Sequence, residues 1–231
     1  MGKMKYEVDD DFLTIGRTFA EYRRMFDLTV ADLTGATLLD CGGGAGAFTA
    51  TAAELAAEAI AVDPLYGPSA EALRPRLEAA VETTESQLQA KREMFVWDFY
   101  GDPATRCHYL RAAANRFLAD YATHRDRYVE GKLPTLPLAE DSVDLALVAN
   151  LLFTYDDRLD RSFHEAALAD LARVARESVR VFPLHGLDSE RSAYVDPVVE
   201  SLQDDGHSVE LRAVPYEFQP GATEMLVVEP V

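Results

Sequence analysis

Leu38-Leu39-Asp40-Cys41-Gly42-Gly43-Gly44-Ala45-Gly46-Ala47-Phe48 decides the fold: a short apolar run ends in an acid, enters a glycine cluster, and passes into an Ala-rich helical pattern. This is a strand, a tight turn and the start of a helix. Backbone without side chains at the carboxyl edge of a sheet lets a ligand approach the main chain, which is how α/β folds hold nucleotide-like cofactors. Ala59-Ile60-Ala61-Val62-Asp63-Pro64 reads as a second strand that also closes on an acid. Together the two strands, the turn and the helix over residues 47–57 make half of a dinucleotide-type site.

Upstream, Phe12, Ile15, Phe19, Tyr22, Met25, Phe26 and Leu33 recur at helical spacings. They predict one or two amphipathic helices over residues 11–33, covering an edge of the sheet. Downstream of Asp63, roughly sixty residues pass before the next strand-like segment, far more than an α/β connection needs. Residues 67–126 therefore read as a helical insertion. Leu73, Leu77, Val81 and Leu88 stripe one charged helix, and Leu110, Ala113, Phe117, Leu118 and Tyr121 stripe a second. Between them lies the aromatic patch Phe95-Val96-Trp97-Asp98-Phe99-Tyr100. The insertion is expected to cover the site as a lid; the opposing reading packs it on the sheet's flank or in a subunit contact.

The sheet resumes at Arg127-Tyr128-Val129 and continues in the near-continuous apolar run of residues 143–150, typical of a central parallel strand. A helix over residues 162–176, a strand over 178–183 and a helix over 195–203 follow. Residues 208–214 and 224–228 are β-rich and joined closely enough for an antiparallel pair.

Composition narrows the function classes. Forty acids against 22 basic residues give a net charge of −18, so no basic face for nucleic acid is expected. Nearly all the cations are Arg, with Lys only at Lys3, Lys5, Lys91 and Lys132. An acidic, Lys-poor surface fits a high-salt cytoplasm, where its self-repulsion is screened, and a halophilic protein is the expectation. No apolar stretch reaches the length of a membrane span, and Met1-Gly2-Lys3-Met4-Lys5-Tyr6-Glu7 lacks a signal-peptide core, so a cytoplasmic protein is expected. Cys41 and Cys107 suggest neither a disulfide framework nor a zinc site. His108, His124, His164, His185 and His207 show no metal-ligand spacing, and no metal is expected.

The glycine turn alone leaves two readings open, because Gly42-x-Gly44-x-x-Ala47 with Asp63 downstream also satisfies a nicotinamide-dinucleotide fingerprint. The fuller pattern Asp40-x-Gly42-x-Gly44-x-Gly46 resembles the first motif of class I S-adenosylmethionine-dependent methyltransferases. Leu136-Pro137-Leu138-Ala139-Glu140-Asp141-Ser142-Val143-Asp144 is similar to that family's lead into its fourth strand, and the closing pair looks like its sixth and seventh strands. The resemblance runs from about Phe12 to the C-terminus, apart from residues 64–126. It implies one α/β domain over residues 1–231: a Rossmann-like, mostly parallel seven-stranded sheet with an antiparallel last strand, and a helical insertion after strand 2.

The resemblance also implies S-adenosyl-L-methionine as cofactor. Gly42, Gly44 and Gly46 would lie against its methionine part, Asp40 would order the turn, and Asp63 would accept both ribose hydroxyls. Where relatives often carry Gly-Asp-Ala to meet the adenine amine, this chain has Gly131-Lys132-Leu133, and Lys132 has only donors. Adenine is then expected against the Leu133 backbone and apolar packing from Pro64 and Leu65, with Asn150 and Leu151 near the cofactor's amino group. Arg17 is a candidate for the cofactor carboxylate, although a solvated position on a helix face is the commoner fate of such a residue.

No catalytic residue is assigned. His164 is the one histidine to consider as a proton acceptor, with a capping or packed role favoured. Tyr155, Asp156 and Asp157 are candidates to line the pocket or to begin the next helix, and Trp97, Phe99 and Tyr100 to close over a substrate or form the insertion's own core. The expected activity is methyl transfer to a small-molecule acceptor, with no nucleic-acid or membrane partner. The alternatives are an NAD(P)-dependent oxidoreductase and a non-catalytic S-adenosylmethionine-binding protein.

Overall fold

The computed structural model describes residues 12–55 and 58–231. Its seven strands are β1 (Thr37–Cys41), β2 (Glu58–Val62), β3 (Tyr128–Val129), β4 (Val143–Ala149), β5 (Ala175–Phe182), β6 (Ser208–Ala213) and β7 (Glu224–Glu229). They form one sheet in the order β3-β2-β1-β4-β5-β7-β6, with the first five parallel and β7 antiparallel to both neighbours.

Alternation along the strands builds two apolar faces. Leu39, Val143, Ala146 and Val148 point to the side covered by α6 (Arg161–Val174) and α7 (Val195–Asp204) through Leu168, Leu171, Val198 and Leu202. Leu38, Leu145 and Leu147 point to the other side, where α1 (Phe19–Met25), α2 (Val30–Leu33) and α3 (Phe48–Ala52) bring Tyr22, Met25, Leu33 and Phe48. Each fully buried side chain of this size contributes roughly 1.5–3 kcal/mol.

Between β2 and β3 stand α4 (Ala70–Ala90) and α5 (Pro103–Tyr121). Asp102 caps α5 through the Thr105 N–H at 2.7 Å, and Pro103 takes the first helical position, where its missing N–H costs nothing. Leu73 and Leu77 of α4 and Phe117 and Tyr121 of α5 join Ala61, Tyr66 and Tyr128 in one cluster beside β2 and β3. Tyr121, Phe117, Tyr66 and Tyr128 pack there at ring separations of 4.9 to 5.8 Å. Trp97, Phe99 and Tyr100 form no separate core. They pack against Tyr216 and Phe218 of the β6–β7 connection.

The N-terminal reading needs correction. Residues 13–18 carry no regular secondary structure, and helix begins only at Phe19, where Thr18 and Glu21 form a reciprocal capping box. The non-helical path goes with close approach: a Cβ on Gly16 would lie 2.1 Å from the Ala45 carbonyl carbon. The segment is laid directly on the glycine turn, and Ala47 N–H donates to the Arg17 carbonyl at 2.9 Å. Asp11, Met1 to Glu7 and the end of the helix expected over residues 47–57, Ala56 and Ala57, lie outside the described residues. The described part of that helix tightens into a 3-10 turn at Ala53–Leu55. Helix α6 stops at Val174 and passes straight into β5, three residues earlier than the strand expected from residue 178.

Candidate functional site

Strand register assembles the site. Cys41 pairs with Val62 on one side and Val148 on the other, so the chain leaves β1 as Gly42, β2 as Asp63 and β4 as Asn150 along one sheet edge. In an open α/β sheet this carboxyl edge is where ligands bind. A cleft of about 1000 Å³ opens there, at the upper end of the range for small-molecule sites and roomy enough for two ligands.

The glycine turn makes one wall. Gly42 and Gly44 have φ of +71° and +52°, which side chains rarely tolerate, and a Cβ on Gly42 would meet Leu151 Cδ2 at 2.6 Å. The Gly44 N–H donates to Asp63 Oδ2 at 3.0 Å, and the Leu65 N–H to Oδ1 at 2.8 Å. A carboxylate offers about four acceptor sites, so each oxygen keeps capacity for one more donor from the cleft. Burial pushes the Asp63 carboxyl above its ordinary pKa, against the pull of those two N–H groups.

Asp40 and Gly46 stand behind this wall and do not line the cleft. Asp40 is buried under the turn and accepts from the Tyr22 hydroxyl at 2.7 Å. A Cβ on Gly43 would lie 2.8 Å from its Oδ2, so the acid and the turn fit each other closely. Burial pushes the Asp40 pKa up to about 7; the Tyr22 hydroxyl opposes this and the charge on Asp63 adds to it.

Pro64, Leu65, Leu133, Asn150, Leu151 and Arg17 all border the cleft with Gly42, Gly44 and Asp63. Arg17 is not the solvated helix residue favoured by its sequence context. It precedes α1, its side chain is 13% exposed, and its Nη2 donates to Asn150 Oδ1 at 3.0 Å. Asn150 itself has φ +51°, and its Nδ2 is buried without a partner. Leu133 is buried on the wall next to exposed Lys132.

His164 takes the packed role. It is fully buried, stacks on Phe153 at 4.9 Å, and its Nδ1 lies 2.8 Å from the Asp160 carbonyl. Tyr155 lines the cleft and accepts from the Leu13 N–H at 2.9 Å, whereas Asp156 and Asp157 precede the helix that Asp160 caps. Both cysteines are buried thiols. Among the described residues no group of His, Cys, Asp or Glu is placed to hold a metal, and no helix is long and apolar enough to cross a membrane.

Sequence reasoning missed two parts of the site. The first is the wall formed by Phe12, Leu13, Thr14 and Ile15; Gly16 inside an apparent helix was the available signal. The second is a buried polar cluster from three distant segments. Glu21, wholly buried, accepts from the Tyr100 hydroxyl at 2.5 Å, and the Tyr100 and Tyr216 hydroxyls lie 2.6 Å apart. Arg17 Nε and Arg106 Nη1 approach the same Glu21 oxygen at 3.7 and 3.6 Å. No local pattern marks such a cluster.

No family model matches the sequence. The chain is 26% identical over 226 residues to an uncharacterized protein, MJ0045, of Methanocaldococcus jannaschii, a match spanning 97% of this chain and 99% of that one. Among solved structures, magnesium protoporphyrin IX methyltransferase (ChlM) from Synechocystis PCC 6803, crystallised with bound SAM, is similar with a TM-score of 0.50 at 13% identity, covering 92% of this chain and 81% of that chain. At that identity the likeness is one of fold: the seven-stranded, Rossmann-like class I methyltransferase architecture, with its antiparallel last strand.

Proposed function

We propose that the protein is an S-adenosylmethionine-dependent methyltransferase acting on a small-molecule acceptor. The observation that carries this reading is the pairing of the left-handed Gly42–Gly44 turn with Asp63 across adjacent strand ends, closed by the Gly44 N–H to Asp63 hydrogen bond. The strand order supports it over a nicotinamide enzyme. A classical dinucleotide fold runs 3-2-1-4-5-6, whereas here antiparallel β7 is inserted between β5 and β6. The similarly folded ChlM was crystallised with SAM bound, which is in keeping with the reading.

The donor set suits that cofactor. Asp63 has acceptor capacity for a ribose diol, Arg17 and the unpartnered Asn150 Nδ2 offer donors to a carboxylate, and Pro64, Leu65 and Leu133 offer apolar contact to a base. When bound, the cofactor supplies an electrophilic methyl group on a sulfonium. The protein's own task is then chiefly to position an acceptor in line and exclude water. Arg76, Thr84 and Leu88 of α4, with Phe95 and Phe218, border the cleft, and we read this insertion as the cover over the acceptor. Location in the cytoplasm and adaptation to high salt belong to the same proposal, the latter resting on the −18 charge. Calorimetric titration with S-adenosylhomocysteine and with NAD tests the cofactor assignment directly.

A further inference from the structure

Among the described residues, the polar cluster at the cleft offers more donors than its own groups satisfy. Arg106 is 1% exposed, yet it borders the cleft, and its Nε and Nη1 have no hydrogen-bond partner. Among the described residues, its ion-pair partner is Glu21, whose Oε1 is 3.6 Å from Nη1. That carboxylate is already engaged. Its Oε2 accepts from the Thr18 N–H and hydroxyl at 2.7 and 2.8 Å, its Oε1 from Tyr100, and Arg17 approaches the same oxygen. Arg17 also has Asn150 and, in the reading above, the cofactor's carboxylate, whereas Arg106 keeps two buried donors, Nε and Nη1, without an acceptor. Buried donors of this kind are costly unless a ligand completes them.

The walls beside Arg106 describe the rest of that ligand. Its guanidinium carbon lies 5.0 Å from the Tyr100 ring centre and 5.8 Å from that of Phe218. Phe218 stacks on Phe95 at 4.5 Å, and both border the cleft with Leu88. Arg17 joins this corner to Asn150 at the end of β4, so the unpartnered donors of Arg106 adjoin the end of the cleft assigned to the cofactor's amino-acid part.

We propose that Arg106 anchors the methyl acceptor through a carboxylate, and that the acceptor is a monoanionic acid with an apolar or aromatic body. This rests on the methyltransferase reading for the word acceptor, but the anion site itself rests on Arg106. A guanidinium fork meets carboxylate and phosphate alike, but a corner that already holds the buried Glu21 carboxylate suits a monoanion better than a phosphate dianion.

The test uses the full chain with phenylacetate, 3-phenylpropanoate and hexanoate, each paired with its neutral amide, and follows binding by ligand-observed NMR and calorimetry with and without saturating S-adenosylhomocysteine. At least one acid is expected to bind the wild type about tenfold or more tightly than its amide, the discrimination of a hydrogen bond to a charged group. Arg106→Met should erase that preference, and Arg106→Lys should restore part of it. If no acid outbinds its amide on the wild type, or if a folded R106M keeps the preference, the proposal is overturned. The wild-type ratio decides alone should R106M fail to fold. Acid preference without any S-adenosylhomocysteine binding would sustain the anion site and sink the methyltransferase reading; the reverse pattern would sink the anion site alone.

Discussion

Replacing Asp63 separates a ribose-binding carboxylate from one that only braces the turn. In Asp63→Ala, the Gly44 and Leu65 N–H groups lose a charged acceptor, but both adjoin the cleft, where water can replace it. The carboxylate is itself disfavoured by burial, so the net loss of stability should stay below about 2 kcal/mol. Binding should suffer more. Losing the charged acceptor for the ribose hydroxyls costs about 1.5–3 kcal/mol, or about 10- to 150-fold in Kd for S-adenosylhomocysteine. Asp63→Asn keeps the volume but turns an NH2 toward one of those N–H groups, and should lose affinity comparably. The assay is calorimetric titration of each variant beside its thermal unfolding curve. Wild-type affinity in D63A, with the fold intact, would refute the ribose role; wild-type affinity in D63N alone would show that shape and not charge matters.

The Asp40 pKa of about 7 lies above the 3.8 of an unperturbed carboxyl, so the folded state holds this proton more tightly than the unfolded chain. Its stabilising contribution is full below about pH 4 and is lost as pH rises through 7, an effect bounded near 4 kcal/mol. Wild-type Tm should therefore fall relative to Asp40→Asn between pH 5 and 8, and a constant difference across that range would contradict the assignment. With a net charge of −18, Tm should also rise from low to molar KCl as like-charge repulsion is screened; a flat profile would remove the case for salt adaptation.

Much of the sheet was legible because its signals are local. The apolar runs leading into Gly42, Asp63 and Asn150 mark three strands whose parallel register then places those residues together. The antiparallel closing pair was readable for the same reason, as two β-rich runs around a short connection. The N-terminal segment was misread because Phe12, Ile15 and Phe19 have helical spacing while the path is dictated by contact with Ala45, a long-range constraint. Thr18 and Glu21 did announce the true start of α1. The Arg106 cluster was illegible in principle, since Tyr100 reaches Glu21 across 79 residues and Tyr216 reaches Tyr100 across 116, and only the packing of the insertion against the β6–β7 connection unites them. Both insertion helices share the cluster beside β2 and β3, and both reach the cleft, α4 through Arg76, Thr84 and Leu88 and α5 through Arg106.

The central claim is that this cleft holds S-adenosylmethionine. Titrating the unmodified protein in a calorimeter with S-adenosylhomocysteine and, separately, with NAD tests it most directly. The account predicts a saturable heat with the first that Asp63→Ala weakens, and none with the second. Saturable binding of NAD with no response to S-adenosylhomocysteine would contradict it.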